Sequence, residues 1–277
     1  MQESVFQLED MKEYMFLRHN EIKHGKTTLL FVHGLGESGL CFKEVFQYEQ
    51  FGEFNVMVPD LVGYGRSSKA SGDNYSFDFQ VNRLQRLMTD KLYGDIIVIG
   101  HSMGGDLGTL LCAKDKNGSI KAFVNVEGNL TQSETFISRK AVEAHKNRDF
   151  LRWFNKDFKW WQVLKKWGKR YDSCRRYYAS LQFCRQEAFL QNAQELVEKN
   201  TALEGEFKSK IGETYCDLSI KKVFCYGKES IKPGSLTLKY IKNKNLESKK
   251  FPGAFHWVMI DQAEKFYPFL YEFASEV

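Results

Sequence analysis

The sequence predicts an α/β protein: a mostly parallel central sheet flanked by helices, with a helical cap inserted after the sixth strand. Three observations lead there. Short apolar runs recur through the first half and alternate with helix-compatible stretches, the signature of βαβ units. One run, Asp95-Ile96-Ile97-Val98-Ile99, leads into Gly100-His101-Ser102-Met103-Gly104-Gly105, and a helix-compatible stretch from Asp106 to Lys114 follows. The strand rhythm stops after Asn129 and returns at Lys221.

The elements follow in order. The N-terminal region that holds His19 and His24 reads as hairpin-like. The runs Thr28 to Val32, Asn55 to Val58, Ile96 to Ile99 and Ile120 to Val126 predict strands. Ile96 to Ile99 is unbroken and β-branched, as expected of a strand covered on both faces. Phe79 to Leu92 fits a helix between them. Residues 131–215 are rich in charge and aromatics, with helical periodicity and almost no strand pattern. Strands return at Lys221 to Tyr226 and near Leu246 to Phe251, and Gln262 to Ala274 reads as a closing helix. Residues 1–130 and 216–277 therefore form one core domain, and 131–215 form the cap.

Bulk properties narrow the class. A chain of 277 residues can bury a full-sized core. No apolar run reaches the ~18 residues that span a bilayer. Met1 to Asp10 lacks a basic segment followed by an apolar one, so no secretory signal is expected. Cys41, Cys112, Cys174, Cys184, Cys216 and Cys225 are scattered and match no metal-ligand spacing. Reduced thiols and a cytoplasmic location follow, and no metal or other cofactor is called for. The net charge of +5 is uneven: residues 131–215 hold 17 Lys/Arg and 11 Asp/Glu, the remainder 23 and 24.

Ser102 is the candidate nucleophile. Strand, sharp turn and helix would lift its hydroxyl out of the sheet, and Gly100 and Gly104 lack the Cβ atoms that would clash there. The helix N-terminus then favours developing negative charge. A catalytic serine needs a base, an orienting acid and an oxyanion hole. His256 is the base candidate because it alone of the six histidines lies in a loop after a late strand. Met103 follows the serine and supplies one oxyanion N–H, and Leu35, in Phe31-Val32-His33-Gly34-Leu35-Gly36, supplies the second. His33, Gly34 and Trp257 are placed at the substrate pocket, with the His33 ring expected to bond nearby backbone. Two carboxylates compete as the acid. Glu127 ends the strand Ala122 to Val126, and Glu229 follows the strand Val223 to Tyr226. Both lie where open parallel sheets build their sites.

Trp153, Trp160, Trp161 and Trp167 interleave with Lys156, Lys159, Lys165, Lys166, Lys169 and Arg170. At helical spacing Trp160, Leu164, Trp167 and Tyr171 share one face. That face either packs on the core with its lysines solvated, or attracts an anionic substrate or acidic lipid head groups in peripheral membrane contact. No nucleic-acid-binding fold accompanies it, so no nucleic-acid partner is expected.

Together, His33-Gly34-Leu35-Gly36, Pro59-Asp60-Leu61-Val62-Gly63-Tyr64-Gly65-Arg66-Ser67, the segment around Ser102 and Phe255-His256-Trp257 resemble the α/β-hydrolase superfamily, in its serine-nucleophile, cap-domain branch. The resemblance implies a serine hydrolase acting on carboxylic esters or related small acyl substrates through an acyl-enzyme on Ser102. Thioesterase, lactonase and carbon–carbon bond hydrolase use the same triad, and a non-catalytic ligand receptor is the rival from another class. In most members the acid is an Asp three residues after the glycine ending the penultimate strand. Here that position is Ser230, and Glu229 is displaced by one. Branches similar to the haloalkane dehalogenases carry the acid after the strand preceding the cap, where Glu127 stands, so Glu127 is favoured over Glu229. A dehalogenase needs an Asp nucleophile, and Ser102 implies acyl chemistry instead.

Overall fold

The computed structural model describes residues 1–277. Eight strands form one sheet: β1 (Gln2–Leu8), β2 (Glu13–His19), β3 (Thr28–Val32), β4 (Asn55–Pro59), β5 (Ile96–His101), β6 (Ile120–Val126), β7 (Lys221–Gly227) and β8 (Ser248–Phe251). Their order is β1-β2-β4-β3-β5-β6-β7-β8. The hairpin β1–β2 and the pair β2–β4 are antiparallel, and every other pairing is parallel. Strands β3, β4 and β5 are buried along their whole length, as their continuous apolar runs require. Helices α1 (Phe77–Lys91) and α2 (Met103–Ala113) connect strands in the first half.

Buried charges tie β2 to α1 and to the loop after β4. Arg83 of α1 donates from Nε (2.7 Å) and Nη2 (2.8 Å) to the two oxygens of Glu13 on β2, and both side chains are buried. Asp60, just past β4, accepts from Arg18 Nη1 (2.6 Å) and from the N–H groups of Gly39 (2.7 Å) and Arg66 (2.8 Å). The segment Pro59 to Ser67 is therefore a brace that folds the loop after β4 onto β2.

Between β6 and β7 the chain is helical: α3 (Phe136–Lys146), α4 (Phe150–Arg152), a π-helical segment (Trp153–Trp167), α5 (Asp172–Ser180), α6 (Gln186–Thr201) and α7 (Lys210–Asp217). Phe150, Phe154, Phe158, Val163 and Phe189 of these helices join the same apolar core as the strands. Asp106 of α2 accepts from the N–H and the amide of Asn129 and from the amide of Asn200 on α6, each at 2.9 Å. Burial outweighs these donors and pushes its carboxyl up to about 7. Helix α7 packs on α2, with Tyr215 edge-on to Phe123 of β6. A boundary at residue 215 falls inside this helix. After β7 come α8 (Leu236–Asn243), α9 (Val258–Asp261) and α10 (Ala263–Ser275).

The predicted shared face of Trp160, Leu164, Trp167 and Tyr171 does not form. Hydrogen bonds such as Gly168 N–H to Val163 O (2.8 Å) run from i+5 to i and widen each turn. Phe154, Phe158 and Val163 then point inward, and Trp153 stacks on Phe158 at 5.1 Å. Trp160 and Trp161 point outward. Only Trp167 and Tyr171 meet the core, where Tyr171 stacks on Phe255 at 4.6 Å.

Replacing Arg83 by Met leaves the Glu13 carboxylate buried without its partner. We expect a loss of about 3–5 kcal/mol, read as a fall in Tm of roughly 6 °C or more. A fall under about 2 °C would show that the pair contributes little.

Candidate active site

Ser102 sits between β5 and α2 with φ 52° and ψ −123°, a backbone that non-glycine residues rarely adopt. Its N–H donates to Val126 O (2.9 Å) and its carbonyl accepts from Gly105 N–H (2.7 Å). The turn is too tight for side chains on its flanks. A Cβ on Gly104 would strike the Val32 carbonyl, and one on Gly100 would strike that of Gly104. Ser102 thus stands half-buried at a cavity of about 180 Å³. Leu35, Ser102 and His256 line one side of it, and Ile137, Phe158 and Trp167 from the helical segment line the other.

Glu127 ends β6 and is buried, also at positive φ (52°). Its N–H donates to Cys225 O (2.9 Å) on β7. Its carboxylate takes three donors at 2.7 Å each: Gly227 N–H, Ser230 Oγ and His256 Nδ1. The His256 ring therefore donates from Nδ1 and keeps Nε2 as an acceptor. No hydrogen bond joins Nε2 to Ser102 Oγ in this arrangement. Burial favours the neutral ring, but the hydrogen bond and charge of Glu127, with smaller contributions from Glu37 and Asp261, prevail and hold His256 above its ordinary value. Glu229 stands apart from this group and pairs with Lys232 at 3.1 Å.

A second buried carboxylate lies beside the first. Glu37 Oε2 accepts from Gly34 N–H (2.8 Å) and His101 Nδ1 (3.0 Å), and Oε1 accepts from the Trp257 indole. His101 Nε2 faces the His256 carbonyl at 3.0 Å. Both ring nitrogens of His101 are thus engaged, one by the Glu37 carboxylate and the other by the His256 carbonyl. Desolvation opposes ionisation of Glu37, yet the His101 charge and hydrogen bond, with the Gly34 N–H, bring it down to about 2.

The remaining predicted residues divide. The Leu35 N–H makes no hydrogen bond, while its carbonyl accepts from Tyr177 Oη (2.8 Å) on α5. Met103 opens α2 directly after Ser102, where helix N–H groups lack intrahelical partners. Trp257 lines the cavity. His33 and Gly34 do not. The His33 ring bonds Gly34 O and the Leu61 N–H (2.9 Å each) beneath the loop, and burial holds its pKa low. Gly34 packs on the Ser102 Cβ. Glu37, His101, Tyr177 and Ser230 were not foreseen as parts of the site. Ser230 alone left a trace in the sequence, standing where an acid is usual.

A family model described as the alpha/beta hydrolase fold matches residues 27–264. The chain belongs to the α/β-hydrolase family. Lipase 1 of Psychrobacter immobilis and Lipase 3 of Moraxella sp. (strain TA144) are each 36% identical to this α/β-hydrolase over 137 residues. That region is 44% of this chain and 43% of each lipase, so the match spans under half the length of these relatives. Solved structures are similar over nearly the whole fold. A study of carboxylesterases of the thaumarchaeon Nitrososphaera gargenis supplies one, with TM-score 0.75, 15% identity and coverage of 99% of this chain and 100% of that one. A thermophilic esterase from Thermogutta terrifontis gives 0.73 and 16%, covering 100% and 99%. An N-acyl homoserine lactonase gives 0.72 and 14%, covering 99% and 97%. At such identities these likenesses speak to the fold alone.

The two candidate acids are separable by titration. Followed by NMR, the His256 ring should change charge above pH 6.5. Glu127→Gln removes the interactions that favour the cation and should move the midpoint down, whereas Glu229→Gln should leave it in place. A shift confined to the Glu229 variant would reverse the pairing.

Proposed function

We propose that this α/β-hydrolase is a serine hydrolase that cleaves carboxylic esters or related small acyl substrates. The observation that carries this reading is the 2.7 Å Glu127–His256 pair bordering the same cavity as Ser102 at its strained turn. With Nδ1–H held by Glu127, Nε2 takes the Ser102 proton as Oγ attacks the carbonyl carbon. The N–H groups of Leu35 and Met103 hold the oxyanion, and Glu127 stabilises the imidazolium. The acyl–oxygen bond breaks, and the leaving alkoxide takes the proton back from His256. Water, deprotonated by the same ring, then attacks the acyl carbon, the bond from that carbon to Ser102 Oγ breaks, and Oγ takes the proton from His256. The Ser102–His256 hydrogen bond belongs to the substrate complex, where such contacts tighten.

Residues 131–215 serve as a cap that closes the site and sets its size. A cavity of about 180 Å³ favours short acyl groups. A larger cavity of about 360 Å³ lies across the wall formed by Glu37, Tyr177 and Trp257 and contains neither Ser102 nor His256. The lipase relatives support ester cleavage. The six free cysteines agree with a cytoplasmic location.

A fluorophosphonate probe should label Ser102 in the wild-type chain and leave Ser102→Ala unlabelled. Turnover of p-nitrophenyl acetate or butyrate should fall about 10³-fold or more in Ser102→Ala and His256→Ala, and about 10²–10⁴-fold in Glu127→Gln. An unlabelled wild-type protein would point to a receptor that lost turnover. Labelling with no ester hydrolysis, but release of thiols or ring-opening of lactones, would move the substrate class.

A further inference from the structure

We propose that the outer face of the π-helical segment is a docking surface for an anionic lipid bilayer. Two neighbouring indoles stand in solvent there, Trp160 at 48% and Trp161 at 64% exposure, because the widened turn swings them off the packed face. Phe136 of α3 adds a third exposed ring at 50%. Trp161, Phe136 and Lys140 line one shallow depression of about 160 Å³. The patch is thus continuous across two helices.

Its charge is mainly positive. Residues 150–170 carry seven Lys/Arg and a single acid, Asp157, which pairs with Arg152 at 3.2 Å. Lys165 Nζ lies 4.4 Å from the Trp160 ring centre, and Lys140 Nζ 4.5 Å from that of Phe136. Lys165, Lys166, Lys169 and Arg170 are exposed. Indoles settle at the head-group level of a bilayer, and surrounding ammonium groups are drawn to an anionic leaflet. A single-stranded nucleic acid would need a groove with successive stacking platforms, and these two rings share the outer face of one helix.

The position gives the surface its use. Phe136 lines both the depression beside Trp161 and the cavity of Ser102. A bilayer seated on the patch would present its head groups at the mouth of that cavity. Docking itself needs no turnover, so it stands or falls apart from the proposed hydrolysis.

Vesicle flotation tests it, using the full chain and its Ser102→Ala form. Both should float with phosphatidylcholine vesicles containing phosphatidylglycerol, and neither with phosphatidylcholine alone. High salt should release them. The double variant Trp160→Ala/Trp161→Ala, and separately Lys140→Glu/Lys165→Glu, should each lower the bound fraction about tenfold. Both should keep wild-type probe labelling at Ser102, or wild-type thermal unfolding if the wild-type chain takes no label, which shows that the fold is intact. Flotation that ignores either variant, binding equal on neutral and anionic vesicles, or tighter binding to a single-stranded oligonucleotide would overturn the proposal.

Discussion

The carboxylate of Glu37 is the contact on which the rest of the site depends. It is 2% exposed, so water cannot substitute for it. Its three donors come from three separate places: Gly34 after β3, His101 at the end of β5, and Trp257 just before α9. These stretches bear the proposed oxyanion donor, the serine and the imidazole. Without the carboxylate, three buried donors would be stranded, at about 1–3 kcal/mol each. The loops converge because one anion satisfies all of them, and His101 extends the link to the His256 carbonyl.

The same network decides which histidine can exchange a proton with the cavity. Three imidazoles crowd the C-terminal ends of β3 and β5. His33 has one nitrogen on Gly34 O and the other on the Leu61 N–H. His101 is held at both nitrogens by Glu37 and by the His256 carbonyl. Only His256 keeps Nε2 uncommitted. The His101 ring lies 4.7 Å from that of His256. Glu37 pins that ring in place and, with the stronger contribution of Glu127, favours protonation of His256.

Much of this was legible in the sequence, because the features that read clearly are local. The runs Thr28 to Val32 and Ile120 to Val126 match β3 and β6 residue for residue. The predicted glycine roles at 100 and 104 rest on nothing beyond a tight turn, and the turn is there. Features set by non-local contacts did not read. Glu37 is one acid in a glycine-rich loop, and its three partners lie up to 220 residues away. His33 does not line the cavity where the sequence places it, while the expected bonds of its ring to nearby backbone are there. The π-helical segment misled because the sequence was read at 3.6 residues per turn, whereas the inward residues Phe154, Phe158 and Val163 follow the wider turn. Tertiary packing of those rings against Phe189 selected that turn over local propensity.

The position of Glu127 shows how an acid can change strands without moving the base. Strands β6 and β7 are parallel neighbours, with Val126 opposite Cys225, so their ends open onto the same space. A carboxylate from β6 must reach across the end of β7 to meet His256. Glu127 does so from a backbone turned to positive φ, with the Gly227 N–H and the Ser230 hydroxyl gripping it on the way. An Asp at this position would be shorter by one C–C bond, about 1.5 Å, too far for a 2.7 Å contact unless the turn moved. The longer side chain compensates for the more distant strand. Ser230, standing where the resemblance implies an acid, donates a hydrogen bond to the Glu127 carboxylate at 2.7 Å. An acid at residue 230 would put two buried anions against one imidazole, and one of them would have to take up a proton.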